Sequence, residues 1–267
     1  MDTRKIGVFD SGLGGLTVVR ELQSLMPGES LIYFGDIARL PYGSKSKENI
    51  IGFSHQIMRF LLKHEVKAVI IACGTASSNA LEEMRESYDI PIMGVVEPGA
   101  EDAAETTRTG RIGITGTEAT IRSGTYDRLL KAVDPSFQIY SKACPLFVPL
   151  VEEGWFDDGI TRQVIHRYLA DLSENEVDTL VLGCTHYPLL RELIQEEMGS
   201  GITLINPSYS VAKKMQTYLK AQDMESPEQE GTYEFYVSDS TDKFRAFGQQ
   251  VLNVEELPVT KINIESY

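Results

Sequence analysis

The chain has 267 residues, 42% hydrophobic and 24% charged, ordinary proportions for a globular protein of one large domain or two of common size. Its 25 basic residues against 39 acidic ones leave a formal charge of −14. That balance argues against nucleic acid or an anionic membrane as a partner held by bulk electrostatics, and an anionic ligand would need local donors to capture it.

From the N-terminus, Met1-Asp2-Thr3-Arg4-Lys5 leads into an apolar run, Ile6 to Phe9, that Asp10 ends too soon for the apolar core of a signal peptide. No run approaches the roughly 18 to 20 apolar residues that span a bilayer, so the expected location is the cytoplasm. Three cysteines, no two of them close in sequence, fit free thiols in a reducing compartment better than a disulfide framework.

Asp10-Ser11-Gly12-Leu13-Gly14-Gly15-Leu16-Thr17 follows this first strand and opens a helical stretch, Gly15 to Met26. A dinucleotide-binding fingerprint is one reading, helped by Asp36, which lies 24 residues past Gly12 and after a second strand, Leu31 to Phe34. That fingerprint wants a small residue where Thr17 stands, and a carboxylate at Asp10 would repel a pyrophosphate at the helix N-terminus. The plainer alternative is a glycine turn with Asp10 as its cap. Pro41-Tyr42-Gly43-Ser44-Lys45-Ser46 is a turn-rich loop that an α/β fold would bring to the same sheet edge.

A second helical stretch, Lys47 to Lys63, precedes a strand, Ala68 to Ala72, that ends in Cys73-Gly74-Thr75. A further strand, Ile92 to Val96, runs to Glu97-Pro98. A second series then begins at Ile112 to Thr115. It continues through Thr179 to Leu182, ending in Gly183-Cys184-Thr185-His186, and through Ile202 to Ile205, ending in Asn206-Pro207. Strands alternating with helices predict an α/β fold.

The two series echo one another. Lys5 to Ser11 resembles Arg111 to Thr117 at an offset of 106, the cysteine strands repeat at 111, and both closing strands lead to a proline. Three echoes in one order predict two similar lobes, each a mostly parallel sheet flanked by helices, pseudo-two-fold related around a cleft. Residues 1–97 would form the first lobe and 98–207 the second, with 208–267 packing back to complete the first.

An apolar run bounded by turn residues reads as a buried parallel strand, which puts Cys73 and Cys184 at strand carboxyl ends, where α/β sheets bind ligands. Each begins a strand-to-helix turn whose free N–H groups and dipole can hold a carboxylate and favour a thiolate. His186 can assist Cys184 or cap a helix. Cys144, without a repeat partner, reads as packing, and Glu152, taken alone, as a solvated carboxylate. A zinc site from Asp10, Cys73, Cys184 and His186 lacks CxxC, HxH or HExxH spacing. A cysteine hydrolase pairing one thiol with His186 leaves the second matched cysteine unused. Two thiols on opposite faces of one carbon can remove a proton from one side and return another to the other side, inverting a stereocentre where water is excluded and donors hold the α-carboxylate.

Four segments carry a resemblance that runs over essentially the whole chain: Gly7 to Thr17, Pro41 to Ser46, the Cys73 strand, and Gly183-Cys184-Thr185-His186-Tyr187-Pro188-Leu189-Leu190. The chain resembles the glutamate racemases, cofactor-independent enzymes of the aspartate/glutamate racemase superfamily. The resemblance implies that Cys73 deprotonates D-glutamate and Cys184 deprotonates L-glutamate, with no cofactor. It also implies that Asp10 assists Cys73, that His186 assists Cys184, and that Glu152 supports His186. Asp10, Ser11, Tyr42, Gly43, Gly74, Thr75, Thr185 and His186 match positions that hold the substrate. The implied role is D-glutamate supply for peptidoglycan by a homodimer. Gly74 departs from the family's usual Asn, and Ile37 from its usual Thr. Gly74 motivates one alternative, a racemase of another amino acid such as aspartate. The other is a non-catalytic acidic-amino-acid binding module with packing cysteines.

Overall fold

The computed structural model describes all 267 residues. The first sheet is built on β1 (Ile6–Asp10), β2 (Leu31–Gly35), β3 (Ala68–Ile71) and β4 (Ile92–Gly94), and the second on β5 (Arg111–Gly116), β6 (Gln138–Ala143), β7 (Thr179–Leu182) and β8 (Thr203–Ile205). Strands β9 (Tyr233–Val237) and β10 (Val259–Lys261) return to the first sheet. The spatial orders are β10-β9-β2-β1-β3-β4 and β6-β5-β7-β8. All pairings are parallel. The shared order β2-β1-β3-β4 and β6-β5-β7-β8 is the structural form of the sequence echo.

The helices are α1 (Leu16–Leu25), α2 (Lys47–Leu62), α3 (Gly74–Ser87), α4 (Val96–Thr106), α5 (Glu118–Ser123), α6 (Thr125–Val133), α7 (Phe147–Glu152), α8 (Gly159–Glu174), α9 (Arg191–Met198), α10 (Pro207–Ala221) and α11 (Thr241–Leu252). Five of these helices, α2, α3, α5, α8 and α10, begin at a capping side chain. Ser46 accepts the Asn49 N–H at the head of α2, Thr117 accepts that of Thr120 at α5, and Asn206 accepts that of Ser208 at α10. No helix is long and apolar enough to cross a membrane.

Strands β1, β2, β3 and β7 are buried along their whole length, as parallel strands covered on both faces must be. The fourth strand stops earlier than its apolar run suggests. It ends at Gly94, and Glu97-Pro98 already lies in the first turn of α4, where proline is tolerated because those N–H groups have no helical partner. Helices α4 and α10 carry the chain between the lobes and pack against one another. One apolar core runs through the seam, joining Val8 and Tyr33 of the first lobe to Ile114 and Leu180 of the second. A second core fills the outer side of the first sheet around Phe9, Phe34, Met58 and Phe60.

The returning segment is fastened by a buried charge pair. Lys67 Nζ lies 2.6 Å from Glu29 Oε2, a contact off the direction of a hydrogen bond. The ammonium donates instead to the Asp2 carbonyl at 2.8 Å and the Met224 carbonyl at 2.7 Å.

Candidate active site

Asp10 closes β1 and is buried. Its Oδ2 accepts the Gly12 N–H at 3.0 Å, while Oδ1 is buried with no hydrogen-bond partner. Burial pushes the carboxyl's pKa up, against the opposing pull of His186 and of the N–H groups of Gly12, Gly15 and Ser11.

Cys73 is the N-cap of α3. Its Sγ accepts the Ala76 N–H at 3.5 Å, and its thiol donates to Ser11 Oγ at 3.4 Å. Burial, and then the negative charge of Asp10, push the thiol up to about 12, against the pull of Ser11 and the Ala76 N–H. Cys184 follows β7, with its Sγ 3.8 Å from His186 Nδ1. Burial disfavours the His186 cation, but the neighbouring Cys184 thiol and Glu152 carboxylate, with the charge of Asp10, outweigh it, raising the imidazole to about 10.

Glu152, at the end of α7, is no solvated carboxylate: its side chain is 15% exposed and stands between two cations. His186 Nε2 approaches Oε1 at 3.3 Å, off the axis of a directed hydrogen bond, and Lys243 of α11 approaches Oε2 at 3.4 Å. Burial raises the Glu152 pKa, but His186 and Lys243 together hold it below the usual value. Phe247, one turn on from Lys243, has its ring 6.2 Å from that of His186.

A small cavity of about 40 Å³ lies between the lobes. The first lobe lines it with Ser11, Tyr42, Gly43, Cys73, Gly74 and Thr75, and the second with Thr117, Cys184, Thr185 and His186. Asp10 and Glu152 are off its wall. Glu152 borders an adjoining outer cavity of about 420 Å³ that shares Leu40, Pro41, Gly43, Thr117 and Val148 with the inner one. Larger surface grooves elsewhere contain neither thiol. The Tyr42 hydroxyl is committed to Asp36 Oδ2 at 2.5 Å, so only the rest of this residue is free to face a ligand.

The dinucleotide reading of the glycine turn fails on two counts. A Cβ on Gly14 would lie 2.4 Å from His186 Nδ1 and from Thr185 Oγ1, so the second lobe fills the place a pyrophosphate needs. Asp36 is wholly buried and held by Tyr42, Ser238 and Arg39 inside the first lobe. At Gly74, a Cβ would come within 2.5 Å of the Gly183 carbonyl oxygen, so the two cysteine-bearing turns meet backbone to backbone.

Thr117 is the wall residue that sequence reasoning passed over. Its Oγ1 lies 2.8 Å from Thr75 Oγ1 and 3.0 Å from Thr120 Oγ1, joining the lobes through hydroxyls. The signal was present: in the echo of Lys5–Ser11 with Arg111–Thr117, Thr117 is the counterpart of Ser11.

Residues 13–226 match the family model described as Asp/Glu/Hydantoin racemase. Among curated proteins, the glutamate racemase of Geobacter metallireducens is 43% identical over 267 residues, covering 100% of this chain and 99% of its own. Two solved glutamate racemases are similar throughout. Isoform RacE1 from Bacillus anthracis has a TM-score of 0.95 and 34% identity, covering 98% of each chain. The Francisella tularensis enzyme, solved in complex with D-glutamate, has a TM-score of 0.93 and 38% identity, covering 100% of each. The chain belongs to the glutamate racemases of this family.

Proposed function

We propose that the chain interconverts L- and D-glutamate by a two-thiol mechanism, with Cys73 taking the α-proton of D-glutamate and Cys184 that of L-glutamate. The observation that carries this reading is the single cavity with one thiol from each lobe on its wall. The opposite thiol returns a proton to the other face of the same carbon, which inverts it.

The surroundings supply what that chemistry needs. Cys73 lies at the head of α3, where the first-turn N–H groups of Gly74 and Thr75 find no acceptor inside the protein. Such donors suit the substrate's carboxylates and the charge that grows on the α-carboxylate as the proton leaves. The hydroxyls of Ser11, Thr75, Thr117 and Thr185 add polar partners around them. A buried thiol raised to about 12 is a reluctant acid on its own, and the ammonium of a bound amino acid favours its thiolate. Asp10 serves the Cys73 side. His186, oriented by Glu152, offers positive charge to the Cys184 side. A cavity of about 40 Å³ holds roughly three waters, less than a glutamate, so binding widens the cleft and displaces water.

Glutamate, rather than aspartate, is the substrate this reading assigns, because the relatives that match the chain from end to end are named glutamate racemases. The reading carries the family's implied role, D-glutamate for peptidoglycan made in the cytoplasm by a homodimer. It divides the chain into lobes 1–97 with 208–267, and 98–207, supported by the return of β9 and β10 to the first sheet. The test is incubation of metal-free protein, without pyridoxal phosphate, with L-glutamate or L-aspartate in D2O. Optical rotation and α-deuterium are followed together. Glutamate is expected to lose rotation while gaining deuterium. Rotation that stays constant with glutamate overturns the reading, and exchange with neither amino acid favours the binding module.

A further inference from the structure

Thr17 is the residue that breaks the dinucleotide pattern, and none of the chemistry above uses it. It is wholly buried. Its Oγ1 lies 2.9 Å from the Gly14 carbonyl, 3.0 Å from the Thr185 carbonyl and 2.9 Å from Ser208 Oγ. Three distant segments thus meet on one hydroxyl: the glycine turn, the turn that carries Cys184 and His186, and the first turn of α10.

A hydroxyl has one proton to give. Gly14 O already accepts the Thr17 backbone N–H at 3.0 Å. Thr185 O has no such partner, for a reason legible in the sequence. After Cys184 the chain runs in tight i→i+3 turns, Tyr187 N–H bonding Cys184 O and Leu189 N–H bonding His186 O. The donor due to Thr185 O in that series is residue 188, which is proline and has no N–H. Leaving a buried carbonyl unpaired is unfavourable, which directs the Thr17 proton to Thr185 O and leaves Ser208 to donate to Thr17.

We propose that Thr17 is a positioning residue for the Cys184 side of the site, its hydroxyl replacing the hydrogen bond that Pro188 cannot make. The peptide unit is planar, so holding the Thr185 carbonyl fixes the plane from which His186 departs, and with it the 3.8 Å approach of Nδ1 to Cys184 Sγ. The inference rests on the racemase reading and deepens it.

The test compares wild type with Thr17→Val, Thr17→Ser and the double variant Thr17→Val/Pro188→Ala, which gives the backbone its N–H back. Glutamate racemisation is measured beside thermal unfolding. Separately from turnover, the pH profile of iodoacetamide alkylation at Cys184 is followed by peptide mass spectrometry, with Cys73 as internal reference. Thr17→Val is expected to lower kcat by on the order of tenfold to a hundredfold, the scale of a misplacement approaching 1 Å. Its KM should change little, and the alkylation profile should move at Cys184 and not at Cys73. Thr17→Ser should stay near wild type, and the double variant should recover part of the loss. A folded Thr17→Val with wild-type kcat and profile overturns the proposal. So does an equal loss in Thr17→Ser, which would assign the effect to packing of the methyl group. Should Thr17→Val fail to fold, Thr17→Cys, a weaker donor of similar size, takes its place with the same expectations. A wild type that does not racemise glutamate overturns the racemase reading, and the alkylation arm then still decides for Thr17.

Discussion

Gly14 and His186 meet across the cleft with no room for a side chain between them: a Cβ on Gly14 would stand 2.4 Å from Nδ1. The second lobe's thiol-bearing turn is seated on bare backbone of the first. Close packing of this kind transmits small displacements rather than absorbing them.

Gly14→Ala should therefore push the His186 turn away and lower kcat/KM by roughly a hundredfold while the protein remains folded. Gly52→Ala is the control, since Gly52 lies in α2 with open space around it. It should keep full activity and gain about 0.5–1 kcal/mol in urea unfolding, as alanine does over glycine inside a helix. Equal kcat/KM in Gly14→Ala and wild type would show that the seat is unimportant.

The two thiols should be separately indispensable. Cys73→Ala and Cys184→Ala are each expected to lower racemisation by at least about 10²–10⁴-fold, the range for loss of a positioned acid or base, with unfolding transitions close to wild type. Full activity in either variant sinks the two-base assignment.

Gly74→Ala tests the backbone contact between the two turns. Its Cβ would meet the Gly183 carbonyl oxygen at 2.5 Å, and a carbonyl cannot rotate aside as a side chain can. The lobes must retreat by several tenths of an ångström. Racemisation should fall by about tenfold or more, and an activity unchanged from wild type would mean that the turns already stand further apart in solution.

Stability should depend on pH through His186. Its folded-state pKa of about 10 lies above the ordinary 6.5. Between those values the folded protein holds a proton that the unfolded chain has released. The stabilisation is fully present below about pH 6.5 and is lost as pH rises through 10. Urea midpoints measured across that window should fall with rising pH, and the slope should flatten in His186→Gln. An identical slope in the variant would assign the effect to other groups.

Lys67→Met removes the cation from a buried pair and leaves Glu29 charged in the interior. It also frees the carbonyls of Asp2 and Met224 that the ammonium ties together. The expected loss is about 3–5 kcal/mol, read from denaturant unfolding, with kcat/KM little changed at temperatures where the variant stays folded. A loss below about 1 kcal/mol would place the pair in the class of exposed salt bridges.

Much of the fold was written in apolar runs because parallel strands covered on both faces must be apolar throughout. That is why β1, β3 and β7, and with them both cysteines, stood out. Strand β6 did not, since Gln138–Ala143 is a sheet edge without a fully buried residue and mixes polar with apolar side chains. Strand β9 hides for a related reason: Glu234 interrupts Tyr233–Val237, and it is there to pair with Lys5. Strand β10 is only three residues long. Within the site, the thiols and the residues beside them in sequence were visible locally. The setting of Glu152 was not, because Lys243 lies 91 residues further along the chain and only the return of α11 brings it near. Thr17 reads in the sequence only as a departure from a glycine motif, because the Thr185 carbonyl and the Ser208 hydroxyl that its side chain meets lie 168 and 191 residues further along the chain.

The two thiols are flanked unequally, Asp10 beside Cys73 and His186 with Glu152 beside Cys184. Mirror-image amino acids have equal free energies in water, so the equilibrium constant between them is unity. The kcat/KM values in the two directions must then be equal. Whatever ratio the unequal flanks set between the two KM values must reappear as the same ratio between the two kcat values. The asymmetry can decide which hand of glutamate the enzyme holds longer, and never which hand accumulates.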